Sequence, residues 1–151
     1  MTKLYLEDLQ QGQVFTSPTH ALDAEQIKAF ARQFDPQPFH TDEAAAKDTF
    51  FGGLAASGWH TAAITMKLLT ATEPGIAGGL IGAGGEISWP QPTRPGDVLQ
   101  VTSEILDVKA SRSKPDRGSA VMRSETRNQR GEILQILISR LIVPRRPVQI
   151  A

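Results

Sequence analysis

The sequence has no cysteine, which excludes disulfides, thiolate metal sites and a cysteine nucleophile but leaves the compartment open. It has no net charge either, since 16 Lys and Arg balance 16 Asp and Glu. The chain as a whole therefore exerts no electrostatic pull on nucleic acid or an anionic membrane, and neither is expected as a partner. No long apolar run opens the chain: Lys3, Glu7 and Asp8 punctuate Met1 to Gln13. Neither a signal peptide nor a membrane span is expected, and the default is a cytoplasmic protein. No His-Glu-x-x-His or similar spacing surrounds His20, His40 or His60, so no metal is expected. The run Gly78-Gly-Leu-Ile-Gly-Ala-Gly-Gly85 matches neither a dinucleotide fingerprint nor a P-loop; it reads as a strand entry close to a helix, and no cofactor is implied. Internal repeats and low-complexity segments are also lacking.

What is present is an ordinary globular composition, 40% hydrophobic and 21% charged, in 151 residues. That is one domain, spanning 1–151, with one core. A chain this size buries only about 70% of its unfolded surface, so a deep pocket is hard to enclose within one copy and a site shared between subunits is favoured.

Residues 1–75 carry helix and loop signals, whereas 79–144 read as strands, a segregation that predicts α+β architecture. Asp23 caps a helix whose apolar positions Ile27, Phe30, Ala31 and Phe34 recur at helical spacing. Pro36 and Pro38 stop it near Phe34 and make Asp35 to His40 extended or coiled. Thr41 is the predicted cap of a short helix through Lys47. A second, longer helix from Leu54 or Ala55 to Thr70 is apolar almost all round, which predicts burial. Strands are expected at Gly84 to Trp89, Leu99 to Ile105, Ser119 to Arg127 and Ile133 to Val143, the last buried on both faces. Asn128-Gln-Arg-Gly131 is a turn. One mostly buried helix with an antiparallel sheet of about five strands results, which suits a hotdog fold among other α+β folds.

Chemistry is most legible at the proline-broken segment. On a continuous helix Asp35 and His40 would face different sides; bent by Pro36 and Pro38, both can point at one place. A carboxylate beside an imidazole can orient and deprotonate a water, although a helix-ending Asp and a surface His would look the same in isolation. Near the start of the apolar helix stands Ala55-Ala-Ser-Gly58-Trp-His60. First-turn N–H groups and the positive end of the helix dipole suit an oxygen that gains negative charge, and Gly58 is the candidate donor; close helix–sheet packing is its other explanation. His60 reads as a packing residue.

Together these segments resemble the MaoC-like dehydratases and (R)-specific enoyl-CoA hydratases. Asp35-Pro-Gln-Pro-Phe-His40-Thr-Asp is similar to that family's Asp-x-Asn-Pro-x-His motif, Phe51-Gly-Gly-Leu-Ala-Ala-Ser-Gly58 to the stretch that follows it, and Pro92-Thr-Arg-Pro-Gly96-Asp97 to its Pro-x-x-x-Gly-Asp turn. The likeness runs from Leu4 through Arg146. Gln37 stands where Asn is usual, and Ser57 where many members have His. The resemblance implies a hotdog fold with the sheet wrapped around one long buried helix, a homodimer or larger assembly, and reversible syn hydration of a trans-2-enoyl-CoA to the (R)-3-hydroxyacyl-CoA. Asp35 and His40 would hold the water, Gly58 N–H would polarise the thioester, and Gln37 and Ser57 would stand beside the substrate.

Lys109, Arg112, Lys114 and Arg117 cluster in an expected hairpin loop. Such a run is usually a solvated surface, but CoA phosphates give Arg112, Lys114 and Arg117 a second reason to be basic. An acyl-CoA thioesterase and a noncatalytic acyl-CoA-binding subunit are the alternative functions. Free thiol release would mark the first, and tight binding without turnover the second.

Overall fold

The computed structural model describes residues 2–148. After a short 3-10 helix, Leu6–Asp8, the chain enters strand β1 (Val14–Ala21). This strand lies in a region that reads as helix and loop. The register with its neighbour shifts between Thr16 and Thr19, and Pro18, within that break, obscures the pattern. An edge strand tolerates a missing N–H there.

Helix α1 (Ala24–Phe34) begins where the sequence places it, the Asp23 side chain accepting from the Gln26 N–H at 2.9 Å. Ile27 and Ala31 are its buried positions. Beyond Asp35 the chain is not simply extended or coiled. Pro38 starts a single helical turn, α2 (Pro38–Thr41), because proline at the first helical position sacrifices no hydrogen bond and supplies the right φ. The next turn, α3 (Glu43–Ala46), is capped by Asp42 rather than Thr41: its carboxylate accepts from the N–H groups of Ala44 and Ala45 at 2.9 and 3.2 Å.

The main helix, α4 (Gly58–Thr70), starts later than expected. Ala55 and Ala56 donate their N–H groups to the carbonyls of Phe39 and Thr93 instead, so Leu54 to Ser57 stitch two other segments together. Nor is α4 buried all round. His60, Thr61, Ile64, Thr65, Leu68 and Leu69 face the core, whereas Trp59 is 60% and Met66 45% exposed.

Strands β2 (Ile81–Ser88), β3 (Val98–Ala110), β4 (Arg117–Arg127) and β5 (Ile133–Pro144) complete an antiparallel five-stranded sheet in the order β1-β3-β4-β5-β2. Strands β3 and β4 alternate as their sequences predict. The turn before β5 closes through Gly131 N–H to Asn128 O. Although β5 has a neighbour on each side, most of its middle stretch is only half covered and Arg140 is exposed, so the expected burial on both faces is not met within one chain. Leu99, Val101, Ile105, Met122 and Leu134 pack from the sheet against Ile64 and Leu68 of α4.

The glycine-rich run leads into strand, turn and coil over 78–80 giving way to β2 at Ile81. A Cβ at Gly85 would stand 2.2 Å from Ile138 O, so close pairing with β5 requires glycine there. The break after α1, the N-terminus of α4 and the end of β2 meet at one corner of the molecule.

Candidate active site

Asp35 ends α1 as its C-cap, donating its N–H to Ala31 O at 2.8 Å. Its side chain is only 16% exposed, and Oδ2 lies 3.4 Å from His40 Nε2. Gln37, two residues on, donates its amide N–H to Oδ1. Burial opposes ionisation of Asp35, but the Ser57 hydroxyl, the Gln37 amide and His40 together outweigh it and hold the carboxyl below its usual range. It is therefore an anion, able only to accept hydrogen bonds.

His40 sits on α2 and is buried. Its Nδ1 lies 2.6 Å from Ala55 O. A carbonyl only accepts, so Nδ1 carries a proton, and in the tautomer this fixes Nε2 is the nitrogen with the lone pair. In that tautomer Nε2 and the carboxylate oxygen 3.4 Å away are both acceptors, a pair that calls for one shared donor. A water placed against the pair satisfies both acceptors and is made more nucleophilic by them.

Gly58 is the first residue of α4, so its N–H has no intrahelical acceptor, and the helix dipole adds partial positive charge at this end. Ser57 is fully buried and caps the helix, its hydroxyl accepting from Trp59 N–H at 3.2 Å. Ser57, expected beside the substrate, fixes the start of α4 and stands beside Asp35. Gln37, likewise expected beside the substrate, is exposed and directs its amide at Asp35.

Asp35, His40 and Gly58 line one cavity of about 580 Å3, walled by Phe51, Trp59 and Trp89 and closed by Pro90 to Thr93. Its size suits a small-molecule site. Sequence reasoning missed Trp89, which lies across the helix N-terminus, and Arg94. The Arg94 guanidinium donates to the carbonyls of Phe51, Gly53 and Leu54, fastening the loop that leads into Gly58. The proline-rich turn around Arg94 is visible in the sequence; its target is not.

Arg112, Lys114 and Arg117 are not brought to this cavity. They flank the β3–β4 turn, where Arg117 pairs with Asp116 at 2.9 Å, and β4 leads back from there over 11 residues, roughly 30 Å. Within one chain they do not line the cavity. His60 stacks on Phe30 with ring centroids 4.4 Å apart, the packing position expected for it. Among the described residues no cluster of His, Asp and Glu could hold a metal ion, and no helix is long and apolar enough to cross a membrane.

The chain is similar to known proteins in sequence and in fold. The MaoC like domain model matches residues 8–127. The Bacillus subtilis (strain 168) protein YdeM is 37% identical over 112 residues, covering 72% of this chain and 78% of YdeM. The crystal structure of the MaoC-like dehydratase from Rhodospirillum rubrum superposes with a TM-score of 0.93 at 55% identity, over 96% of this chain and 99% of that one. The unliganded R-hydratase PhaJ1 from Pseudomonas aeruginosa shares the fold, with a TM-score of 0.75 at 23% identity over 99% and 97% of the two chains. The hotdog expectation is met in the five-stranded antiparallel sheet; the central helix is shorter than foreseen, and one side of it is open.

Proposed function

This chain belongs to the MaoC-like domain family, and from that premise we propose that it reversibly hydrates a trans-2-enoyl-CoA to the (R)-3-hydroxyacyl-CoA. The convergence of the Asp35 carboxylate, the His40 Nε2 lone pair and the Gly58 N–H on one cavity carries the proposal. Water held by Asp35 and His40 adds to carbon 3 of the enoyl thioester while carbon 2 takes a proton, and negative charge grows on the thioester oxygen. Gly58 N–H faces that charge. Such a donor is typically worth about 3 kcal/mol, as much as a catalytic side chain. The two side chains act as a coupled pair, one accepting the water's proton and the pair returning one to carbon 2.

The working unit in this proposal is a homodimer. Strand β2 is an open edge and almost wholly exposed, and the Trp59 and Met66 stripe of α4 is uncovered. Open edges of this kind invite pairing with another strand. A second copy pairing antiparallel along β2 would set its own Ile81 end beside Ser88, at the site. Ile81 pairs with Ile142, and Ile142 with Ser119 at the start of β4, so the partner's basic loop would approach the cavity. Arg112 and Lys114 would then meet the CoA phosphates from the neighbouring subunit.

Incubation with a panel of enoyl-CoAs tests the reaction. Loss of the conjugated thioester without free thiol is the expected result. Thiol release would establish a thioesterase instead, and binding without either change an acyl-CoA-binding subunit.

A further inference from the structure

Trp89 follows β2 and reaches across to the N-terminus of α4. An ideal Cβ at Gly58 would fall 2.7 Å from its Cε2 and 2.9 Å from its Cζ2, so the indole is pressed against the Gly58 backbone. It also meets Trp59 edge-on, with ring centroids 5.4 Å apart at 85°. Its Nε1–H donates to Gln135 Oε1 at 3.0 Å. An indole nitrogen only donates, which fixes the orientation of the Gln135 amide. The amide nitrogen of Gln135 then donates to Thr65 Oγ1 at 3.1 Å.

Thr65 makes two further contacts, to Thr61 O at 2.8 Å and to Thr126 Oγ1 at 2.6 Å. Its single proton must go to the carbonyl, so Thr126 donates and the Thr65 oxygen accepts twice. The donor and the acceptor of each of these hydrogen bonds are thereby assigned. Gln135, Thr65 and Thr126 are fully buried, whereas Trp89 is 39% exposed at the cavity. A satisfied buried network is rigid, because loosening any member strands another without a partner. One end of this network is a buried threonine pair, Thr65 and Thr126, and the other is the wall of the site, with Gln135 joining them.

We propose that Trp89 is a specificity-determining wall beside the thioester carbon, and that Gln135 is its positioning residue. This rests on the acyl-thioester reading of the same cavity. With the thioester oxygen on Gly58 N–H, the indole packed on Gly58 stands beside the carbons bonded to that thioester. A straight acyl group passes it, and a methyl branch at carbon 2 meets it.

The test uses the whole protein and two saturated thioesters that cannot be hydrated, butanoyl-CoA and 2-methylpropanoyl-CoA. The sequence has two tryptophans, so Trp59→Phe leaves Trp89 as the sole tryptophan, excited on the long-wavelength side of tyrosine absorption. In that background Gln135→Leu is expected to move emission to longer wavelength and lower its anisotropy while the thermal transition persists. A single methyl group in a fitted pocket is discriminated by about tenfold or more. Trp89→Leu and Trp89→Phe, in the otherwise native chain, should therefore erase about a tenfold preference for the straight ligand, read by calorimetry. Gln135→Leu should matter far less to that preference once Trp89 is Phe.

Unchanged emission and anisotropy in folded Gln135→Leu would overturn the positioning role, as would an undiminished preference in either folded Trp89 variant for the wall. Should Gln135→Leu not fold, Trp89→Phe, which keeps a ring without the N–H, decides the wall. Binding with the expected selectivity but no turnover of enoyl-CoAs would sink the hydration reading and leave the wall standing. Hydration with unaltered selectivity would do the reverse, and failure of the native chain to bind either thioester would overturn both.

Discussion

At the scale of single residues, the hydrogen bond from His40 Nδ1 to Ala55 O fixes the ring so that Nε2 faces Asp35. Asp35→Asn keeps shape and loses charge; His40→Gln keeps a polar group and loses the base. Each variant is expected to fold and to lose about 100- to 10,000-fold in turnover, and the double variant much less than the product of the two. Steady-state kinetics on the best enoyl-CoA checks this; a folded single variant with near-native turnover would sink the dyad. His60 makes a separate prediction. Burial, with a smaller contribution from His20, lowers its pKa from 6.5 to about 4. The unfolded chain thus binds more protons than the folded one between these values, so stability falls as the pH drops through that window, by about 3 kcal/mol at most, and then levels off. His60→Phe keeps a ring against Phe30 and should flatten the loss of Tm between pH 6.5 and 4; an unaltered pH profile would exclude this cause. Asp35 and His40 are legible in the sequence because two prolines mark the bend between them. Trp89 and Gln135 are not: they lie 46 residues apart, and only the pairing of β2 with β5 brings them together.

At the scale of elements, α4 presents its first turn to the site, and three residues set that turn. Ser57→Ala removes a cap, with an expected cost of about 1 kcal/mol seen in thermal unfolding, together with a fall in turnover as the Gly58 N–H loses its fixed direction. Gly58→Ala drives a methyl into the Trp89 ring. Overpacking of this kind costs about 1–3 kcal/mol, and the ring has to shift, so stability and activity should fall together; native stability in Gly58→Ala would show that the contact is loose. Arg94→Met strips the donors from three carbonyls of the preceding loop. It is expected to raise KM more than it changes the fold. The start and stop of α1 are plain in the sequence, since Asp23 and the prolines are local signals. The start of α4 is not: the N–H groups of Ala55 and Ala56 are taken by Phe39 and Thr93, partners that no local window contains. Strand β1 is hidden by Pro18, whose place at an edge only the assembled sheet reveals.

At the scale of the whole molecule, the chain is a half-covered object. The sheet has one edge at β2 with hardly any buried position, and α4 leaves Trp59 and Met66 open beside it. Sedimentation at micromolar concentration should give a dimer, and Ile81→Lys, placing a charge on that edge, should shift it toward monomer. A protein that is monomeric throughout would remove the proposed interface. Reversing charge at Arg112 and Lys114 should weaken enoyl-CoA affinity at low salt without loss of stability, the effect fading as salt is raised. The α+β class and four of the five strands follow from sequence pattern alone. Periodicity cannot say that the basic loop and the dyad lie at opposite ends of the same strands.

That opposition makes the two defects genetically complementary. In a dimer joined antiparallel along β2, each cavity takes its dyad from one chain and its phosphate contacts from the other. A chain carrying Asp35→Asn and a chain carrying charge reversals at Arg112 and Lys114 would each be crippled alone. Paired together, they concentrate both lesions in one cavity and leave the other intact. Free exchange between equal amounts of the two homodimers should restore about a quarter of the native sites, by random pairing of subunits in a twofold-symmetric dimer.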